Sequence, residues 1–201
     1  MIKFSVITVC FNSEKTIERT IKSVLSQSYK NFEYIVVDGR SSDQTTQIID
    51  RYKSSIDVYI SEEDQGLYDA MNKGITKSSG DYICILNSDD VYANENILER
   101  VSQNLSTQEL DILMSDISFF RYENEKKLLT RKVKSRWFKK SLLSWGWMPP
   151  HPGMFISRKL VNKVGFYDTS YLIASDFDYV LRLFSQENLK SNILILHLYI
   201  C

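Results

Sequence analysis

The chain has few of the residues that break or staple a polypeptide. Seven glycines and three prolines in 201 residues argue against a collagen-like, low-complexity or linker-rich chain, and no internal repeat is visible. The three cysteines, Cys10, Cys84 and Cys201, contain no C-x-x-C pair. That excludes zinc-ribbon and thioredoxin-type chemistry. Cys10 and Cys84 lie in apolar runs, where a thiol packs as a small hydrophobe. There is no net charge, since 25 Lys and Arg balance 25 Asp and Glu, whereas a general nucleic-acid binder carries a basic excess. No apolar run approaches the roughly 20 residues that span a bilayer. Met1-Ile2-Lys3-Phe4 leads straight into a strand pattern and lacks the shape of a signal peptide. The expected compartment is a reducing cytoplasm.

What is present is an ordinary globular mixture, 43% hydrophobic and 25% charged, of a size for one domain or two tightly fused halves. The first half alternates strand and helix. Phe4 to Val9 reads as a strand buried on both faces. Asn12 or Ser13 is placed to cap a helix with Ile17, Ile21, Val24 and Leu25 on one stripe. Phe32 to Val37 is a second strand, and Asp43 opens a helix with Ile48, Ile49 and Tyr52 inward. Val58 to Ile60, a helix over 67–76 and a buried strand from Tyr82 to Leu86 follow. This order implies βαβ units and a mostly parallel sheet. The second half is less regular, with strands expected at Ile112–Phe120, Leu128–Val133, Phe155–Ser157 and Ile193–Leu198, and a helix at Asp176–Ser185.

Charge is unevenly spread. Residues 126–140 hold eight of the 25 basic residues and no acid, so the rest of the chain carries 17 bases against 25 acids. Leu128, Leu129, Val133, Trp137 and Phe138 interleave with these cations, and Trp145 and Trp147 follow. The segment reads either as an edge strand guarded by lysines or as a surface that docks on anionic lipid and a lipid-linked acceptor. The clustered tryptophans favour the second.

In an open α/β sheet, ligands bind beyond the carboxyl ends of the strands. The first strand delivers Thr8, Phe11, Asn12 and Glu14 there, the second Asp38-Gly39, and the fourth Asp89-Asp90. Asp38 suits a ribose hydroxyl or a base edge, or simply makes a turn with Gly39. The first strand-to-helix turn is Cys10-Phe11-Asn12-Ser13, without glycine, so the dinucleotide fingerprint G-x-G-x-x-G is missing, and so is G-x-x-x-x-G-K-[ST]. A bound diphosphate therefore needs another means of neutralisation. Asp89-Asp90, after a buried strand, either caps the helix expected around Asn94–Val101 or binds a divalent cation, since Mg²⁺ and Mn²⁺ take one or two carboxylates plus substrate phosphates.

An ordered set of segments then points to one family. They are Ser5-Val6-Ile7-Thr8-Val9-Cys10-Phe11-Asn12, Asp38-Gly39-Arg40-Ser41-Ser42-Asp43-Gln44-Thr45, Ser61-Glu62-Glu63-Asp64-Gln65-Gly66-Leu67-Tyr68-Asp69-Ala70-Met71-Asn72-Lys73-Gly74, Gly80-Asp81-Tyr82-Ile83, Leu86-Asn87-Ser88-Asp89-Asp90, His151-Pro152-Gly153 and Ala174-Ser175-Asp176-Phe177-Asp178. Together they resemble the family 2 glycosyltransferases, inverting enzymes of the GT-A fold. Each motif is weak alone, and their order is specific.

The resemblance implies an α/β GT-A fold, with residues 1–110 as a nucleotide-sugar-binding half and 111–201 as an acceptor-side half, fused in a single domain. It implies a hexosyltransferase of cell-surface polysaccharide or glycoconjugate biosynthesis, with a nucleotide-sugar donor, a saccharide or lipid-linked acceptor and a Mn²⁺ or Mg²⁺ cofactor. Thr8, Phe11, Glu14 and Asp38 would surround the nucleobase and ribose, and Asp89 the ribose or sugar side. Asp90 would be the metal ligand of the family's D-x-D element, with His151 completing the metal shell or touching the diphosphate. Lys73, on one helix face with Asp69 and Asn72, would meet the diphosphate. Asp176 matches the general base, with Asp178 as its rival. The chain departs from the family pattern at Arg40, where glycine is usual. It ends at Cys201, where members commonly continue into a lid or a membrane-contacting tail. A cytoplasmic protein peripheral at the inner face of the cell membrane is the expectation. The rivals are a nucleotidyltransferase, which should carry a basic, Gly-rich phosphate loop after the first strand, and a non-catalytic sugar-nucleotide or lipid-surface binding module.

Overall fold

The computed structural model describes residues 1–123 and 126–200; Cys201 lies outside them. Its elements run β1 (Phe4–Cys10), α1 (Ile17–Leu25), β2 (Phe32–Asp38), α2 (Thr45–Asp50), β3 (Val58–Ser61), α3 (Leu67–Lys77), β4 (Tyr82–Ile85), β5 (Asp90–Tyr92) and α4 (Ile97–Thr107). The second half adds β6 (Ile112–Glu123), β7 (Lys126–Val133), β8 (Met154–Ser157), α5 (Arg158–Val164), α6 (Ser175–Phe184) and β9 (Ser191–Ile200).

These strands form one mixed sheet in the order β3-β2-β1-β4-β8-β6-β9-β5, with β7 on β6. The first four strands of this order, β3, β2, β1 and β4, are all parallel. β8 joins β4 and β6 antiparallel, so the sheet passes from the first half of the chain into the second without a break.

Strand β1 is buried throughout, and the period-2 alternation of a strand divides its side chains between two cores. Phe4, Val6 and Cys10 pack with Ile17 and Ile21 of α1, Ile49 of α2 and Leu98 of α4. Ile7 and Val9 pack with Met71 and Ile75 of α3, Leu160 of α5 and Leu183 of α6. Each fully buried branched side chain contributes about 1.5–3 kcal/mol. The helix α3 lies so close that a Cβ on Gly74 would collide with the Ile7 side chain. Cys10 and Cys84 are free, buried thiols within the first core, and burial pushes the Cys84 thiol up to about 12, so it packs rather than reacts.

Several boundaries differ from the sequence expectation, and two of them bear on the site. Helix α1 starts at Ile17, and Ser13 serves it by its main-chain oxygen, which accepts from the Thr16 and Ile17 amides. The short strand β5 stands where a helix cap was a possible reading, and α4 begins only at Ile97, after Asn96. The pair Asp89-Asp90 therefore caps no helix. Helix α5 was not anticipated from the sequence. Its signal is Ser157, whose Oγ accepts from the Leu160 amide at 3.2 Å, an ordinary N-cap.

At the amino edge of the sheet, Glu33 ties three segments together. It accepts from Lys3 Nζ at 2.8 Å, Ser5 Oγ at 2.6 Å, Ser79 Oγ at 2.6 Å and Gly80 N at 3.0 Å, and also from the Ser79 amide. Burial alone would raise the Glu33 carboxyl. The Lys3, Ser5 and Ser79 donors outweigh burial and hold it down at about 2. A depressed carboxyl stabilises the fold above its unfolded value, and that contribution is lost as pH falls through the folded value. Replacing Glu33 by Gln should therefore cost on the order of 2–3 kcal/mol at pH 7. The gap between wild type and variant should narrow as pH falls from about 5 toward 2–3. Urea melts across that range read it, and a gap independent of pH would refute the assignment.

Candidate functional site

The strand order reverses between β1 and β4, the position at which open α/β sheets form a crevice. A cleft of about 1260 Å³ opens there, lined by Phe11 and Glu14 after β1, Gly39 and Arg40 after β2, Leu67 at the start of α3, and Asp89 after β4. Its floor is two loops stitched together by polar contacts. Gly39 N donates to Cys10 O at 2.9 Å, and Ser42 N donates to Asn12 Oδ1 at 2.9 Å. Ser13 N donates to Thr45 Oγ1 at 2.7 Å, and Gln44 N donates to Glu14 Oε2 at 3.0 Å. Phe11 is 62% exposed and offers a bare aromatic face at the rim. Such a face suits a stacked base.

Three of the expected donor contacts do not line this cleft. Thr8 is fully buried on the α1 face of the sheet, two residues short of Cys10, which reaches the cleft from the same face, and its Oγ1 accepts from the Tyr34 hydroxyl at 3.1 Å. Asp38 is also fully buried, and its carboxylate accepts from the Ser41 amide and hydroxyl and from Ser61 Oγ at 2.7 Å. The turn reading of Asp38-Gly39 thus describes its hydrogen bonds. Lys73 points into its own neighbourhood, donating to Glu63 O at 2.8 Å and pairing with Glu62 at 3.1 Å and Asp69 at 3.3 Å. Burial alone would lower the Lys73 ammonium, but those two carboxylates raise it.

A second cavity of about 510 Å³ shares Leu67, Asn87 and Asp89 with the cleft and adds Asp90, His151, Asp176, Tyr68 and Trp147. Asp90 is 1% exposed. Burial, and after it the Asp89 charge, push its carboxyl up to about 8. Asp90 Oδ2 accepts from the Asn87 amide at 3.2 Å, while its Oδ1 and the Asn87 Oδ1 are buried with no hydrogen-bond partner. An unpartnered buried carboxylate oxygen beside a second carboxylate has the chemistry of a hard-cation site. Among the described residues no three His, Cys, Asp or Glu side chains converge as a metal cage, so His151 does not join the two aspartates as a protein-only ligand set. His151 is buried, its Nε2 is hydrogen-bonded to the Tyr167 hydroxyl, and burial lowers the imidazole to about 4.

Asp176 is the second residue of α6, following Ala174 held at φ 70°. Its Oδ1 accepts from the Tyr68 hydroxyl at 3.2 Å and from the Phe177 amide at 2.9 Å. Asp178 is engaged elsewhere, accepting from Arg182 Nε at 2.8 Å, and does not line the cavity. Tyr68 and Asn72 were not singled out from the sequence as functional. Both lie within the Ser61–Gly74 motif.

The basic segment borders this region. A groove of about 430 Å³ is lined by Arg131, Lys132, Lys134, Trp137 and Trp147, and it shares Arg131 and Trp147 with the second cavity. Trp137 and Trp145 are 67% and 86% exposed. Trp147 differs from the expectation for an interfacial residue: it is half-buried and stacks on Phe138 with ring centroids 5.6 Å apart. Among the described residues no helix is long and apolar enough to cross a membrane.

Comparison with known proteins places this arrangement. The profile of the family described as Glycosyl transferase family 2 matches residues 5–175. An uncharacterised glycosyltransferase of Mycobacterium tuberculosis is 32% identical over 179 residues, which are 89% of this chain and 67% of that protein. The crystal structure of S. aureus TarS 1-349 in complex with UDP-GlcNAc superposes with a TM-score of 0.80 at 20% identity, covering 98% of this chain and 58% of that one. The mannosyltransferase PcManGT from Pyrobaculum calidifontis, in complex with GDP-Man and Mn²⁺, superposes with a TM-score of 0.73 at 18% identity, covering 98% of this chain and 56% of that one. The two structural likenesses show a shared GT-A fold. The chain spans less than two thirds of either solved structure.

Arg40 has a backbone φ of 63°, which explains why glycine suits this position. A non-glycine residue in the left-handed region costs roughly 1–2 kcal/mol. The Arg40 guanidinium makes only an exposed contact with Glu63 at 3.9 Å, and such pairs contribute little. Glycine adds chain entropy to the unfolded state, which offsets part of the relief. Arg40→Gly should stabilise the protein by about 0.5–1 kcal/mol, read as a higher thermal midpoint. A lower midpoint would mean that the Arg40 side chain holds the loop.

Proposed function

The chain belongs to glycosyl transferase family 2, and we propose that it acts as an inverting hexosyltransferase. It moves a sugar from a nucleoside-diphosphate sugar to an acceptor hydroxyl in the assembly of a cell-surface polysaccharide or glycoconjugate. One observation carries this reading: Asp89 is common to the two cavities, and Asp90 and Asp176 line the second. A donor in the cleft and an acceptor in the second cavity would meet at these carboxylates.

Phe11 and Glu14 contact the base and ribose, and Asp89 the sugar side. Asp38 and Lys73 act indirectly, by holding the loops that shape the cleft. Asp90 with Asp89 holds Mg²⁺ or Mn²⁺, and the unpartnered Asp90 oxygen fits that role. When bound, the cation neutralises charge on the leaving diphosphate. Asp176 accepts the proton of the acceptor hydroxyl as its oxygen attacks the anomeric carbon. The bond from that carbon to the diphosphate oxygen breaks, the nucleoside diphosphate departs with the electron pair, and in-line attack inverts the centre. His151, neutral and bound to Tyr167, shapes the cavity wall.

Paired variants test the scheme. Asp90→Asn should abolish Mn²⁺-dependent stabilisation by UDP in a thermal-shift panel, since an amide poorly replaces a charged ligand. Asp176→Asn should leave that stabilisation intact while kcat falls on the order of 10²–10⁴-fold. Unchanged cation-dependent binding in the first variant removes the metal role. Collapsed nucleotide binding in the second moves Asp176 to the donor site.

The cationic segment with Trp137 and Trp145 serves, in this reading, to hold the enzyme at an anionic membrane carrying a lipid-linked acceptor. Basic side chains near such a surface contribute roughly 1 kcal/mol each and are screened by salt. Anionic phosphatidylglycerol vesicles, but not phosphatidylcholine vesicles, should sediment the protein, and high salt should release it. Changing Lys132, Lys134, Arg136, Lys139 and Lys140 to Gln should abolish sedimentation without altering nucleotide binding. Equal binding to both vesicle types, or none, removes the membrane role and leaves edge guarding to the cations of β7 itself, Lys132 among them.

A further inference from the structure

We infer that Tyr68 is a positioning residue for the Asp176 carboxylate, and that it belongs to a tyrosine stack through which helix α3 holds the acceptor-side loop. The inference rests on the reading of Asp176 as the base. Tyr68 sits in the first turn of α3, an element of the nucleotide-binding half, yet its hydroxyl reaches across 108 residues of sequence to donate to Asp176 Oδ1 at 3.2 Å. The Phe177 amide donates to the same oxygen. No protein donor to Oδ2 occurs among the described residues. The hydrogen bonds thus fix one oxygen of a carboxylate that lines the cavity and leave the other without a protein donor, as a base that must accept a proton from substrate requires.

The Tyr68 ring is itself fixed. It stacks on Tyr167 with centroids 5.8 Å apart and an interplanar angle of 23°, and Tyr167 packs on Tyr179 at 4.2 Å. The Tyr167 hydroxyl is bound to His151 Nε2. One turn along α3, Asn72 clamps the Tyr167 main chain twice: its Nδ2 donates to Tyr167 O at 2.9 Å, and its Oδ1 accepts from Tyr167 N at 2.9 Å. Further along the same loop, Ser175 Oγ donates to Asp168 O at 2.8 Å. The loop from Tyr167 to Ala174 is therefore pinned to α3 at one end and enters α6 through the strained Ala174 at the other. Burial, and after it the Asp176 charge, raise the Tyr68 phenol, consistent with a proton kept on the phenol and donated to a carboxylate.

A tyrosine that merely filled space would be replaced by phenylalanine without consequence for Asp176. A hydrogen bond to the ionised carboxylate stabilises it, so removing the bond should make the carboxylate easier to protonate. The decisive measurement is a ¹³C-carboxylate NMR titration of Asp176 in wild type and Tyr68→Phe, which needs no substrate. The midpoint should move to higher pH in the variant, and an unmoved midpoint overturns the inference. A thermal midpoint close to wild type checks that the stack survives.

Kinetics with UDP-GlcNAc as probe donor, reading its hydrolysis, give the second arm. Tyr68→Phe should lower kcat about tenfold to a hundredfold with KM nearly unchanged. In the Asp176→Asn background the same change should have no further effect, because Tyr68 acts through Asp176. Additive losses overturn the inference. If Asp176→Asn instead keeps wild-type turnover while the NMR midpoint still moves in Tyr68→Phe, the base assignment fails and the positioning contact stands.

Discussion

Everything in the site is measured from strand β1. It is buried along its whole length and paired in parallel with a neighbour on each side. Parallel pairing in register brings three carboxyl ends to one edge: Cys10 faces Asp38, and Leu86 N bonds to Ile7 O just beyond β4. Three loops therefore converge, and the chain needs no glycine-rich turn to build a crevice. Position along β1 decides which residues reach the cleft. Val9, Cys10 and Phe11 line the cleft, while Thr8 belongs to the core below.

The electrostatics of the site follow from placing carboxylates where water is scarce. Asp90 lies beside Asp89 at the sheet edge with one oxygen unpartnered, and its carboxyl is displaced far from the ordinary range. Burial raises the Asp89 carboxyl, and the Arg19 charge lowers it by less. Stability alone does not favour such an arrangement, and it is what a bound cation and diphosphate would repay. The opposite case is Glu33, equally a carboxylate near the sheet, which has a partner for each oxygen and a depressed carboxyl. One is fully satisfied within the fold, and the other keeps an unpartnered oxygen beside a second carboxylate.

The sequence made the first half legible because its signals are local and periodic. Continuous β-rich runs marked β1, β2 and β4, and the stripe Ile17, Ile21, Val24 marked α1. The second half was harder to read. β5 is three residues long and exists through pairing with β9, a partner more than a hundred residues away. No local pattern encodes that. At the site, motifs located Asp89, Asp90 and Asp176 in one region, yet motif membership could not tell a ligand-facing side chain from a supporting one. Asp38 and Lys73 fall in conspicuous motifs and spend their polar atoms on Ser41, Ser61, Glu62 and Asp69. Tyr68 and Asn72 fall in the same kind of motif, and only the tertiary partner, Asp176 or Tyr167, reveals what they do.

Those supporting contacts share one design. Loops that must hold a ligand are fixed by side-chain to main-chain bonds and not by regular structure: Asn12 to Ser42, Glu14 to Gln44, Ser13 to Thr45 and Asn72 to Tyr167. Each bond adds only about 1 kcal/mol net, so no single one makes the cleft. Together they remove the freedom of segments that carry three positive-φ residues outside glycine, Asn12, Arg40 and Ala174. Strain of that kind persists only where surrounding contacts over-determine the backbone. Helix α3 is central to that network. Its first turn lines the cleft at Leu67, its Tyr68 reaches the acceptor-side carboxylate, and its Asn72 holds the loop beyond. The Tyr68 and Asn72 bonds thus tie α3, which borders the cleft, to the segment that carries Asp176.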